Sequence, residues 1–190
     1  MKKITVKQMV VIALLIAIQV VLTRFLSIPT PIVRIDLGFI PIVIIAILYG
    51  PIYAGIAGAM ADFIGAMLFP FGPFFPGFTF SAFLIGAAYG LFLYKRETGF
   101  KPGIIRIILA AFIVTVVLQL GLETLWVSII SVGNPESEYS SLWQAYTALL
   151  YVRGVRTAFM LPIQIVLIKL LISNKNLLFA ASGKSVNNNE

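Results

Sequence analysis

The chain has 190 residues, 60% hydrophobic and 11% charged, with a mean hydropathy of +1.03. A soluble domain would carry about 25% charged residues, so a water-soluble globule is excluded and a polytopic membrane protein is expected. The absence of Cys and His excludes a disulfide framework, most transition-metal sites and the usual general base, so neither a metal, a cofactor nor an enzyme is expected. The net charge of +7 is spread over loops and one tail. It reads as a topology signal and not as a nucleic-acid surface.

A transmembrane helix needs about 20 apolar residues. The segments that qualify are approximately 5–26, 36–49, 51–69, 77–95, 104–131 and 145–172, predicting an all-α bundle of six spans. The first follows Lys2, Lys3 and Lys7 and could mimic a signal peptide. Its apolar run continues past Arg24 into Ser27-Ile28-Pro29-Thr30-Pro31 without a small-x-small cleavage site, so a retained span is expected. Ala13 and Ala17 lie four apart on one face of it, a spacing that lets another helix approach closely in lipid; ordinary internal packing is the alternative.

The second segment is short and meets the third at Gly50-Pro51, which predicts a tight turn. The third is rich in small residues (Ala54, Gly55, Ala57, Gly58, Ala59, Ala61, Gly65 and Ala66) and is expected at the centre of the bundle, with Asp62 facing inward. Asp62 serves either a ligand or an Arg partner. The connection Phe69–Thr79 holds Phe69, Phe71, Phe74, Phe75 and Phe78 among prolines and glycines that prevent a regular helix. Such an apolar patch covers something, so an aromatic lid or stacking wall for a flat ligand is preferred to an interfacial belt, which favours Trp and Tyr.

On the fifth segment Glu123 and Trp126 share a face, and on the sixth Arg153 and Arg156 do the same. Two neighbouring guanidiniums in an apolar run need an anion, either a ligand carboxylate or an internal partner among Asp36, Asp62 and Glu123. With the N-terminus inside, ten of the fourteen basic residues fall on cytoplasmic segments, and the outer loop Gly133–Glu138 is acidic. Both termini are therefore expected to be cytoplasmic. Residues 1–175 form one transmembrane domain, and 176–190 a polar tail expected to be disordered. Gly183-Lys184-Ser185 copies the end of a phosphate-binding loop, but Leu178 stands where that motif needs Gly and no strand precedes it. No ATP site is expected.

Seven charges (Arg24, Arg34, Asp36, Asp62, Glu123, Arg153 and Arg156) sit at or inside the apolar runs. Each costs roughly 2.5–3.5 kcal/mol at membrane depth, so such groups usually face a working cavity. All but one of them gather towards the outer side under the expected topology. From the residues alone, the ligand is a flat heterocycle, with or without an anionic tail.

An ordered run of motifs carries a resemblance over residues 8–170. It comprises Thr23-Arg24-Phe25-Leu26-Ser27-Ile28-Pro29, Arg34-Ile35-Asp36-Leu37-Gly38-Phe39-Ile40-Pro41, Tyr49-Gly50-Pro51, Ala61-Asp62, the Phe69–Thr79 connection and Leu122-Glu123-Thr124-Leu125-Trp126. The chain resembles the folate-specific substrate-binding subunits, or S components, of energy-coupling factor (ECF) transporters. The resemblance implies a six-helix protein of the bacterial plasma membrane that captures folate from outside. It also implies docking on one transmembrane coupling subunit and two ATPase subunits, the first contacted through Ala13 and Ala17. Arg24, Asp62, Phe71, Phe74, Phe75, Phe78, Glu123, Trp126, Arg153 and Arg156 are then the expected ligand-binding residues. One departure stands out: the family pattern has Asn before Thr-Leu-Trp, and here it is Glu123, which adds a negative charge to a site for an anionic ligand. The alternatives are another flat vitamin such as riboflavin, a stand-alone ion-coupled carrier, and an intramembrane enzyme, which lacks any recognisable catalytic pair.

Overall fold

The computed structural model describes residues 5–29, 34–35, 37–70, 72, 74–94, 102–134 and 139–174. Asp36, Phe71, the centre of the acidic loop and the tail 176–190 lie outside these. Among the described residues the helices are α1 (Val6–Arg24), α2 (Phe39–Tyr49), α3 (Pro51–Leu68), α4 (Pro76–Leu93), α5 (Ile104–Val132) and α6 (Leu142–Ser173). All but α2 are long and apolar enough to cross a membrane. A minimal antiparallel ribbon, Ile28–Pro29 against Arg34–Ile35, lies in the connection from α1 to α2.

Local chemistry explains the boundaries. Proline opens both α3 and α4, where its missing N–H removes no helical bond. Gly50 joins α2 to α3 at φ 91°, a backbone region open to glycine. Ser141 accepts from the Gln144 N–H at 3.3 Å and caps α6.

The second segment forms a shorter helix than expected. α2 has 11 residues, or about 16 Å at 1.5 Å per residue, half of a hydrocarbon core of about 30 Å. It is apolar all round, and Pro41 to Ile47 are buried; such a helix belongs inside a bundle. The core gathers around it with the inner faces of α1, α3 and α4.

α3 and α4 form the closest pair. A Cβ at Gly58 would stand 2.5 Å from the Ala82 carbonyl oxygen, and Cβ atoms at Gly86 and Gly90 would collide with the backbone of Ala54 and Pro51. Small residues there allow backbone to touch backbone, the packing that replaces hydrophobic burial in lipid. Elsewhere the usual burial pattern is inverted. Ile105, Leu91 and Phe159 face outward, while Ser81, Thr115, Thr124, Ser128 and Gln164 are buried.

α5 is continuous but not uniform. Ile113–Leu122 is a π-helix, far longer than the single turn usually seen. The Glu123 N–H returns to the Leu118 carbonyl, five residues back. In α6, Pro162 lies inside the helix and offers no N–H to the carbonyl four residues earlier.

Candidate functional site

A cavity of about 310 Å³ opens where all six helices converge. Gln19, Thr23 and Arg24 of α1 line it, with Gly38, Phe39 and Ile42 at the start of α2. Gly58, Ala61 and Asp62 come from α3, and Ala82 and Ile85 from α4. α5 supplies Gln119 and Glu123, and α6 supplies Arg156, Met160 and Gln164. Its volume falls at the lower end of the roughly 300–1,000 Å³ typical of small-molecule sites.

Four of the residues expected from sequence, Arg24, Asp62, Glu123 and Arg156, meet in this wall. Asp62 is held from one side: Thr79 Oγ1 donates to its Oδ2 at 2.8 Å, while Oδ1 faces Arg24 Nη2 at 4.0 Å. That ion pair is loose, and Oδ1 keeps capacity to accept from a ligand donor. Arg24 also donates through Nη1 to the Phe69 carbonyl at 3.3 Å, which ties α1 to the end of α3. Gly65 makes room for it, since a Cβ there would lie 2.7 Å from Arg24 Nε.

Arg153 is placed differently. Its Nη2 lies 3.2 Å from Glu123 Oε2, and its Nη1 donates to Thr124 Oγ1 at 3.3 Å. It therefore ties α6 to α5 and offsets the carboxylate that departs from the family pattern. Beside it is a niche of about 10 Å³, lined by Thr115, Gln119, Arg153, Arg156 and Met160 among others. That is room for about one water.

Among the described aromatic residues of the α3–α4 connection, Phe74, Phe75 and Phe78 form a joint and do not line the cavity. Phe75 packs on Trp126 with ring centroids 5.6 Å apart and on Phe78 at 6.1 Å, and Phe74 meets Phe63 of α3 at 5.8 Å. Trp126 Nε1 donates to Ser81 Oγ at 2.9 Å, giving the half-buried indole N–H a partner on α4. Phe71 lies outside the described residues. Ala13 and Ala17 are both exposed on α1, beside the exposed Met9, Val10 and Leu14.

Neutral polar residues complete the site. Gln19, Gln119 and Gln164 each interrupt an apolar run, as intramembrane polar residues at helix contacts do; that interruption was the available signal. Gln19 Oε1 is buried in the wall without a hydrogen-bond partner among the described residues. Gln164 Oε1 accepts from Thr115 Oγ1 at 2.7 Å and from the Tyr89 hydroxyl at 3.1 Å.

The sequence profile of the family described as the substrate-specific component of ECF transporters matches residues 7–172. A folate transporter of Clostridium novyi, FolT, is 40% identical over 168 residues, covering 88% of each chain. FolT of Leuconostoc mesenteroides is 28% identical over 173 residues, covering 91% of this chain and 88% of its own. The crystal structure of a FolT bound with folic acid superposes with a TM-score of 0.71 at 34% identity, covering 89% of this chain and 94% of that one.

Proposed function

The chain belongs to the family of ECF transporter substrate-specific components, integral membrane proteins, and from that premise we propose that its cavity captures folate from outside the cell. The energy for import is supplied by partner ATPase subunits, reached through a transmembrane coupling subunit. One observation carries the assignment of the site: the 310 Å³ cavity collects Arg24, Asp62, Glu123 and Arg156 from four different helices. Carboxylates there accept from the donor-rich edge of a pterin, and guanidiniums attract the glutamyl carboxylates. The two FolT relatives and the folic acid-bound structure support the same ligand.

In this reading Arg24 and Arg156 face the ligand, while Arg153 compensates Glu123. The net effect of Glu123 on an anionic ligand is thereby reduced. Phe75, Phe78 and Trp126 brace the connection next to the cavity, and Phe74 fixes that connection to α3. Ala13 and Ala17 form the contact for the coupling subunit, on the exposed face of α1.

Equilibrium dialysis of labelled folic acid against the detergent-purified protein tests the ligand. Saturable binding displaced by unlabelled folic acid, but not by riboflavin or thiamine, is expected. Displacement by riboflavin would assign the cavity to another vitamin. For the partner contact, Ala13→Trp with Ala17→Trp is expected to leave folic acid binding intact while ending co-purification with a co-expressed coupling subunit.

A further inference from the structure

The cavity wall carries a residue that the charge pattern does not reveal. Gln164 lies 1% exposed, against Tyr89 at 0% and Thr115 at 1%, yet it borders the cavity together with Met160 and Gln119. Two hydroxyls on two other helices converge on its single carbonyl oxygen, at 2.7 and 3.1 Å. An amide whose oxygen is engaged twice has little rotational freedom. Its other branch is the nitrogen, which carries two N–H donors and accepts nothing.

We propose that Gln164 is a specificity-determining donor in the cavity wall, oriented by Tyr89 and Thr115, that reads a hydrogen-bond acceptor on the ligand's ring system. The inference rests on the folate reading of the cavity. Gln164 stands eight residues along α6 from Arg156, about 12 Å at 1.5 Å per residue, and Ile42, Ile85, Met160 and Gly58 also line the cavity, so the part that meets the amide is an uncharged ring and not the anionic tail. A pterin ring offers such acceptors in its 4-oxo oxygen and its ring nitrogens. A donor fixed in a dry site discriminates strongly, because an analogue that presents a hydrogen there leaves a buried polar group unpaired. Tyr89 and Thr115 are positioning residues, acting only through the amide.

The test measures dissociation constants of three ligands on the detergent-purified full chain: folic acid, tetrahydrofolate, whose N5 and N8 carry hydrogens, and aminopterin, whose 4-amino group replaces the oxo acceptor. The wild type is expected to prefer folic acid over at least one of the other two by about tenfold or more. In Gln164→Met that preference is expected to shrink to about twofold. The double variant Tyr89→Phe/Thr115→Val, which keeps the amide but removes its clamps, is expected to fall between and decides the matter alone if Gln164→Met does not fold. A purely structural role would weaken all three ligands together and leave the ratios at their wild-type values; that result overturns the proposal, as does a wild type with no preference. Failure of the wild type to bind folic acid at all would remove the folate reading itself, and this inference with it.

Discussion

Where α3 meets α4, backbone lies against backbone across Gly58, Gly86 and Gly90; where α5 meets α6, side chain meets side chain through Arg153–Glu123 and Thr115–Gln164. Along the first contact the glycines leave no room for a Cβ, and its polar link, Thr79 to Asp62, lies further along at the cavity. The second holds a π-helical segment and an internal proline, both departures from the regular ladder that weaken backbone bonding locally. The contact between these two helices runs through polar side chains. The contrast separates two ways of making a wall in lipid, one by steric fit and one by hydrogen bonding, and it predicts that damage to each will register differently.

The largest effect is expected from Gly86→Val. The added atoms meet the Ala54 carbonyl, which cannot move without the whole of α3, at a cost of about 3 kcal/mol or more. Thermal unfolding in detergent is expected to show a collapse of the melting point, with loss of folic acid binding. Gly72→Ala, where a Cβ meets open space, is expected to be neutral; equal sensitivity at the two positions would contradict the steric account. Next comes Arg153→Ala, expected to destabilise by about 2 kcal/mol because the α5–α6 ion pair with Glu123 and the bond to Thr124 are both lost. Arg153→Ala/Glu123→Gln is expected to recover most of that loss. If the double variant is no more stable than the single, the wall is not held by charge pairing.

Asp62→Asn is expected to act on the ligand and not on the wall. Its Oδ1 is loosely paired at 4.0 Å, so a loss of about 2 kcal/mol, or roughly thirtyfold in folic acid affinity, is expected with little change in melting point. Isothermal calorimetry beside a melting curve separates the two. Gln19→Leu is the smallest change and has opposite signs in the two assays. Removing the unpartnered buried oxygen is expected to stabilise the ligand-free protein slightly and to weaken folic acid binding by about fivefold, or 1 kcal/mol.

The charged part of the site was legible because ionisable groups are so costly at membrane depth that they stand out in an apolar sequence. Arg24, Asp62, Glu123 and Arg156 are accordingly found together. Gln19, Gln119 and Gln164 do not stand out in the same way, because a neutral amide is far cheaper to bury and can be satisfied by any neighbouring helix. Glu123–Arg153 is one of the internal pairings left open by the sequence, and only the relative placement of α5 and α6 selects it. The spans were readable from hydropathy, but the brevity of α2 and the π segment of α5 were not. Apolar composition sets how much of a helix avoids water; it does not set where the backbone ladder slips by one residue.

The two tryptophans of the chain occupy opposite environments. Trp126 is wedged between Phe75 and Ser81 with its N–H donated at 2.9 Å, while Trp143 is 74% exposed near the start of α6, stacked on Tyr146. The molecule therefore contains an optical reporter pair. Trp143 senses the surrounding lipid or detergent, and Trp126 senses the joint between the α3–α4 connection and α5. Trp143→Phe would leave a single emitter at that joint, able to report a change in its surroundings without any attached dye.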